Sequence, residues 1–321
     1  MPKELDATRH DLLVDVAKLY WEQDLTQQQI ARKLGVARSS ISNLLKLCRD
    51  LRIVEIRIND DSSHIARLRR ELCDKFGLAD AVVVPAGPDP RQATVHVGLA
   101  AAARIRPLLK DRVRIGISWG TTLYELVRHV SPMPLEGAEV VQLHGGLGEG
   151  NPEIDGFGLA QKLAEKLHGR YRIVQAPMIV RNVALKKLLL AEKGISASLK
   201  RGAGVQIALF GIGSNNPGIS SLVRAGYLSK DESRALAEGG AIGTVCGFQI
   251  GANGSVLPID VNRRLIGIDS GTFLRIPVRV GVAAGSLKAQ AVAAALRGRF
   301  VTMLVVDEAA ASAVLALCTN G

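Results

Sequence analysis

The run Gly116-Ile117-Ser118-Trp119-Gly120-Thr121-Thr122 ends an apolar, β-type stretch and leads straight into a helical one. Glycine lets a backbone approach a ligand closely, and the two threonines carry hydroxyl donors. The first N–H groups of a helix have no intrahelical partner. Together these are the parts of an anion cradle. Two more glycine runs follow β-type stretches: His144-Gly145-Gly146-Leu147-Gly148-Glu149-Gly150 and Phe210-Gly211-Ile212-Gly213-Ser214-Asn215-Asn216-Pro217-Gly218. One such run is ordinary, because tight turns need glycine. Three at strand ends of one sheet point to a polar, phosphorylated ligand. In Ala283-Ala284-Gly285-Ser286-Leu287-Lys288-Ala289, Lys288 opens a helix. The macrodipole favours anions there, so a cation is locally unfavourable unless it serves something such as a bound phosphate. A solvated surface lysine is the alternative. In Leu257–Arg264, Asp260 offers a carboxylate for sugar hydroxyls beside Arg263 and Arg264, and the stretch reads equally as a surface loop.

A different chemistry lies near the N-terminus, between Leu25 and Lys46. Thr26 and Gln29 are spaced as a capping box, and Ile30, Ala31 and Leu34 share a helical face. Gly35 then stands where a left-handed helix cap needs no Cβ. In the next helix Ile41, Leu44, Leu45 and Cys48 repeat at core spacing. The other face carries Arg38, Ser39, Ser40, Ser42, Asn43 and Lys46. Such side chains reach phosphates and base edges, and the pattern is that of a helix-turn-helix whose second helix enters the DNA major groove. Thr26 and Gln27, at the start of the first helix, are candidate DNA contacts too. Ala37 leaves the second helix without a strong side-chain cap. A plain helical hairpin is the alternative, but it has no need of a serine-rich face flanked by cations.

Stepping outward, Ala7–Gln23 carries Leu12, Leu13, Val16, Leu19 and Tyr20 as the stripe of a third helix. Ile53–Ile58 alternates apolar and polar, as the half-buried strand of a wing does. Short polar residues at Asn59–Ser63 mark a boundary. The stripe Ile65, Leu68, Leu72 and Phe76 predicts a helix over His64–Phe76 that bridges to the body, pairs with a second copy, or packs on its own body.

From Ala81 on, strand and helix signals alternate. Strands are expected at Ala81–Val84, Val113–Ile117, Glu139–Leu143, Tyr171–Val174, Val205–Phe210, Val278–Val282 and Met303–Val306. Helices are expected at Gln92–Leu109, Thr122–Val130, Gly156–His168, Lys186–Lys193, Lys230–Glu238, Leu287–Arg297 and Ala309–Leu317. Near-continuous apolar strands predict an α/β domain, with a mostly parallel sheet covered by helices on both faces. Ligands of such sheets bind at the C-terminal strand ends, where the glycine runs fall. The expected division is 1–58 as a winged helix-turn-helix, 59–77 as linker and bridging helix, and 78–321 as a ligand-binding domain.

The chain's formal net charge is +11. Residues 30–58 hold seven basic and two acidic residues, whereas residues 1–60 hold ten and nine. The positive charge of the head is therefore local, and the remainder of the chain suits an anionic small ligand as well as nucleic acid. No apolar run approaches the ~20 residues of a membrane span, and no leader pattern opens the chain, so a cytoplasmic protein with no membrane partner is expected. The four cysteines form no C-x-x-C pair and the six histidines have no ligand spacing. They predict reduced thiols, no metal site and no cofactor. No H-E-x-x-H or Walker loop is present.

The ordered motifs I-G-I-S-W-G-T-T, Q-L-H-G-G-L-G, F-G-I-G-S, N-R-R-L-I-G-I, A-A-G-S-L-K-A and L-V-V-D-E-A-A-A follow the helix-turn-helix. In this order, over nearly the whole chain, they resemble the SorC family of sugar-responsive transcriptional regulators. The resemblance implies a body similar to sugar-phosphate isomerases and deaminases. It implies a phosphorylated sugar or polyol effector, a double-stranded operator, and homodimers or homotetramers. It also implies that Gly120, Thr121 and Thr122 hold a phosphate with Gly145 and Gly146 beside them, and that Lys288 is the family's lysine at the late helix. The chain departs from the pattern near Gly251, where an aspartate is expected, and at Leu147, where some relatives carry arginine. The leading expectation is an effector-controlled regulator, not an enzyme, of a carbohydrate operon. A sugar-phosphate isomerase or deaminase with an appended DNA-binding head is the alternative. A purely architectural DNA-binding protein leaves the glycine loops without a purpose.

Overall fold

The computed structural model describes residues 7–23, 25–51, 53–54, 64–87, 89–146 and 154–318. The chain divides into two compact units, Met1–Asp60 and Asp61–Gly321.

In the first unit, α1 (Ala7–Trp21), α2 (Gln27–Leu34) and α3 (Arg38–Asp50) form a three-helix head. Thr26 caps α2 in a reciprocal box with Gln29, and Gly35 ends it in the left-handed conformation at φ 65°. That cap turns the chain sharply enough to start α3 three residues later. The two apolar stripes then meet α1, burying Val16, Leu19, Ile30, Ile41 and Leu45 together. Leu13, Ala17 and Cys48 close a second small cluster, in which the Cys48 thiol donates to the Leu13 carbonyl at 3.2 Å. Ile53 and Val54 pack beside it. Glu55–Ile58, the rest of the expected wing strand, lies outside the described residues, as does the polar boundary at Asn59–Ser63.

The second unit opens with α4 (His64–Phe76) and, among the described residues, is built on nine strands. These are β1 (Asp80–Val84), β2 (Arg114–Ile117), β3 (Glu139–Gln142), β4 (Arg170–Arg172), β5 (Ile207–Ser214), β6 (Gly243–Val245), β7 (Phe248–Ile250), β8 (Val278–Ala283) and β9 (Met303–Asp307). The main sheet runs β1-β9-β8-β5-β2-β3-β4, every neighbouring pair parallel. The hairpin β6–β7 is added antiparallel to the end of β5.

Because strand side chains alternate faces, adjacent apolar residues feed different cores. Val140, Leu209 and Val305 join one core, and Val141, Phe210 and Val306 join the other. The first core is covered by α5 (Pro90–Ile105), α6 (Thr121–His129) and α7 (Gly156–Lys166). Further along come α8 (Val183–Ala191), α9 (Lys193–Gly202), α10 (Ser221–Arg224), α11 (Lys230–Glu238), α12 (Asp260–Arg264) and α13 (Ser270–Leu274). The second core is covered by α4, α14 (Ala289–Arg297) and α15 (Glu308–Ala316), through Leu68, Leu72, Val292 and Val314. Burial on both faces is why these strands read as continuous apolar runs.

The helix expected as a bridge, α4, thus packs on its own body. Asp80 pins it there, bonding Arg69 of α4 at 2.9 Å and Arg104 of α5 at 2.5 Å.

The structure differs from expectation in several places, among them the short helices α10, α12 and α13, which were not expected. The run Phe210–Ser214 continues strand β5 instead of turning. Its glycine at 213 admits the hairpin, since a Cβ there would sit 2.6 Å from Thr244 Cγ2. The hairpin itself has strands of three residues, too short to show a period. Helix α9 was not expected at all, and buries only Ile195, Ser198 and Gly202.

Candidate functional site

Strand order reverses between β2 and β5, since β3 and β4 extend one way and β8, β9 and β1 the other. Such a switch point opens a crevice at the C-terminal strand ends. A cleft lies there, with about 420 Å³ of empty space that includes open solvent. It is lined by Ser118–Thr122 after β2, Gly211–Gly213 of β5, Ser221 of α10, Thr244, Cys246 and Gly247 of the hairpin, and Lys288 before α14.

Gly120 is the N-cap of α6 at φ 128°, a conformation closed to most side chains, with nothing within 4 Å of where a Cβ would stand. Its own N–H is spent on the Ile154 carbonyl at 3.0 Å. The next three N–H groups, of Thr121, Thr122 and Leu123, make no backbone hydrogen bond among the described residues. Thr121 is exposed and Thr122 buried. Lys288 stands across this helix start. Burial pushes its ammonium down to about 8, the charge of Arg224 pushes the same way, and Asp307 opposes them. Unspent donors, a helix N-terminus and a poorly solvated cation together favour an anion.

Beneath the cleft the polar groups are neutral. Ser118 Oγ lies 2.7 Å from His144 Nε2, and His144 Nδ1 lies 2.8 Å from the Gly145 carbonyl. A carbonyl only accepts, so Nδ1 carries the proton and Nε2 accepts from the serine hydroxyl. Burial holds His144 below its ordinary value. Burial likewise pushes the Cys246 thiol up to about 12, against a hydrogen bond with Ser118. A thiol so poised is no nucleophile. Thr244 Oγ1 is buried without a partner.

Of the ligand-site residues read from the sequence, Gly120, Thr121, Thr122 and Lys288 come together here. Gly145 and Gly146 do not line the cleft. They lie behind His144, where their N–H groups bond the carbonyls of Ile266 at 2.9 Å and Ala176 at 2.8 Å. A Cβ on Gly145 would stand 2.4 Å from the Ala176 oxygen, so this glycine answers a close backbone approach. Leu147, Gly148, Glu149 and Gly150 lie outside the described residues. Asp260 is also elsewhere. It is exposed at the start of α12 and committed to Arg264, one turn on, at 2.6 Å. Sequence reasoning missed Trp119, Ser221, Thr244 and Cys246 as lining residues. The signal present was the run of small residues between Gly239 and Gly251; the left-handed pair at Cys246 and Gly247, φ 48° and 86°, is visible only in the structure.

In the head, Arg38, Ser39, Ser42, Asn43 and Lys46 are exposed on α3 and Ser40 is half-buried, while Ile41, Leu45 and Cys48 face inward. The α3 N-cap, Ala37, makes no side-chain hydrogen bond. Thr26 is exposed but occupied by its capping box, and Gln27 is half-buried.

The family model described as "Putative sugar-binding domain" matches residues 60–316. The deoxyribonucleoside regulator of Bacillus subtilis (strain 168) is 30% identical over 313 residues, 97% of this chain and 99% of that protein. The crystal structure of the full-length sorbitol operon regulator SorC from Klebsiella pneumoniae superposes with a TM-score of 0.82. It is 28% identical, over 97% of this chain and 100% of that one. The chain belongs to the SorC family of sugar-binding transcriptional regulators.

The transcriptional regulator LsrR of Enterobacter sp. (strain 638) is 30% identical over 98% of this chain and 95% of its own length. Membership of the SorC family makes the chain a transcriptional regulator of the sugar-operon type. Among the described residues, no helix is long and apolar enough to cross a membrane, and no cluster of three or more metal-ligating side chains occurs. All four cysteines are free thiols, Cys48 and Cys246 buried, Cys73 and Cys318 half-buried.

Proposed function

We propose that this SorC-family chain binds an operator through α3 and a phosphorylated sugar or polyol in the cleft after β2, and that occupation of the cleft alters operator binding. The observation that carries the ligand class is the pairing of the unspent α6 N-terminus with Lys288. A phosphate dianion satisfies both, and the neutral floor of Ser118, Thr244 and Cys246 suits the hydroxyls of the attached carbon chain. In this reading Gly120, Thr121, Thr122 and Lys288 hold the phosphate, and Arg38, Ser39, Ser40, Ser42, Asn43 and Lys46 contact DNA. The head's charge is modest, so two copies acting together on one operator, in a homodimer or homotetramer, supply adequate affinity. In this reading the protein acts on its operon in the cytoplasm.

Binding without turnover fits the site's chemistry. The Ser118–His144 pair is buried with Nδ1 on a backbone carbonyl instead of a carboxylate, Cys246 is protonated, and no carboxylate lines the cleft among the described residues. The test is a thermal-shift screen of the full chain against sugar and polyol phosphates, followed by operator binding with and without each hit. A ligand that binds only the folded state raises its apparent stability. No shift with any phosphorylated sugar or polyol sinks the effector reading. A shift with no change in operator binding sinks the switch.

A further inference from the structure

The carboxylate of Asp307 is 1% exposed at the end of β9, and it grips two elements at once. Oδ1 accepts from Ala310 N at 3.0 Å and caps α15. Oδ2 accepts from Gly285 N at 2.5 Å. Gly285 precedes the single helical turn Ser286–Lys288, so the same carboxylate holds the backbone that presents the cleft lysine. Both donors are neutral backbone groups, and the carboxylate itself is buried. Charges count for most there, because little water screens them.

Two charged groups act on Lys288, each from a different element: Arg224 from α10 and Asp307 from the β9–α15 junction. Arg224 bonds Ser221 Oγ, a lining hydroxyl, at 3.3 Å and so stays on the cleft side. With burial and Arg224 both disfavouring the ammonium, an opposing anion raises the share of the lysine that is charged near neutral pH.

We propose that Asp307 is a positioning residue of the cleft: through Gly285 it fixes the turn that carries Lys288, and its carboxylate offsets Arg224 so that Lys288 meets its ligand as a cation. The proposal rests on the reading of the cleft as an anion site, but its test does not need a ligand. Competitive acetylation of the full chain, read at Lys288 by mass spectrometry across pH, follows the ammonium directly. Asp307→Asn removes the charge and keeps one acceptor oxygen, for either Gly285 or Ala310.

The wild type titrates near the value of about 8 that its surroundings dictate. In Asp307→Asn the midpoint falls by half a unit or more, so the neutral amine near neutral pH rises about threefold. Asp307→Ser, which retains a cap for α15 without the charge, gives the same fall and serves if the first variant does not fold. An unmoved midpoint in either folded variant overturns the proposal and leaves Asp307 as a helix cap alone. Thermal shift with inorganic phosphate reads the anion site separately. Phosphate that fails to bind the wild type, with the midpoint still lowered, defeats the anion reading and upholds the role of Asp307.

Discussion

Ser118 Oγ and His144 Nε2, 2.7 Å apart, tie the loop after β2 to the turn after β3 beneath the cleft. The pair is fully buried and neutral, and its last proton goes to the Gly145 carbonyl. The loop that opens α6 is thus braced from below by a side chain, His144, that does not line the cleft.

His144→Ala leaves the Ser118 hydroxyl and the Gly145 carbonyl without partners and opens a cavity. It is expected to cost about 2–4 kcal/mol, from unmade hydrogen bonds and lost packing, measured by urea denaturation. The wild type carries a pH signature as well. Burial holds the folded His144 below its unfolded value near 6.5, so its contribution is complete above that pH and is lost as pH falls below it. The drop in Tm on going to mildly acid pH is expected to be smaller in His144→Gln than in the wild type. Equal drops would mean that this histidine is not the group responsible.

Asp80 joins α4 to α5 through Arg69 and Arg104. Burial alone pushes its carboxyl up, but hydrogen bonds and charge from the two arginines outweigh this and hold it below the usual carboxylate range. A lowered folded value means stability that is present above the unfolded value of about 3.9 and lost as pH falls through the folded one. Asp80→Asn is expected to cost about 1–3 kcal/mol at neutral pH, less than for a fully buried pair because the arginines reach solvent. Acid denaturation should flatten in the variant. A variant as stable as the wild type at neutral pH would show that the clamp contributes nothing.

The head offers a matched pair of cap substitutions. Thr26→Ala removes the capping box and is expected to cost about 1 kcal/mol, whereas Ala37→Ser supplies the side-chain cap that α3 lacks and is expected to gain up to ~1 kcal/mol. Thermal melts of the full chain, followed by hydrogen exchange within α2 and α3, separate the head from the body. Destabilisation by Ala37→Ser would show that the α3 start cannot take the capping rotamer.

Gly145 and Gly120 should fail differently. Gly145→Ala drives a Cβ to 2.4 Å from a backbone oxygen and is expected to lower Tm markedly. Gly120→Ala meets no neighbour but strains a φ of 128°, so the loop relaxes and phosphate-induced thermal shifts shrink more than stability does. Loss of stability alone in Gly120→Ala would remove this residue from the binding loop.

Asn43→Ala on α3 and Thr121→Ala on α6 test the division of labour. The first is expected to weaken operator binding by about 1–3 kcal/mol with ligand-induced thermal shifts intact, and the second to do the reverse. Damage to both activities by each variant would refute separate sites.

The features that the sequence alone determined are local. Thr26 and Gln29 stand three residues apart, and Gly35 has no Cβ to resist a left-handed cap, so the α2–α3 turn follows from a dozen residues. The parallel strands other than the exposed edge strand β4 were legible because burial on both faces leaves a long apolar run, and Gly120-Thr121-Thr122 because it begins a helix directly after one. Only the tertiary structure decided which distant groups share a space. Thr244, Cys246 and Ser221 entered the cleft because β5 runs on past Phe210 and receives a hairpin of three-residue strands. Asp260 was left outside because Arg264, one helical turn away, took its carboxylate. Gly145 proved a packing glycine because Ala176 and Pro177 pass behind it. In each case the side chain's fate was set by chain segments far away or by competition for one partner, and residue spacing carries neither.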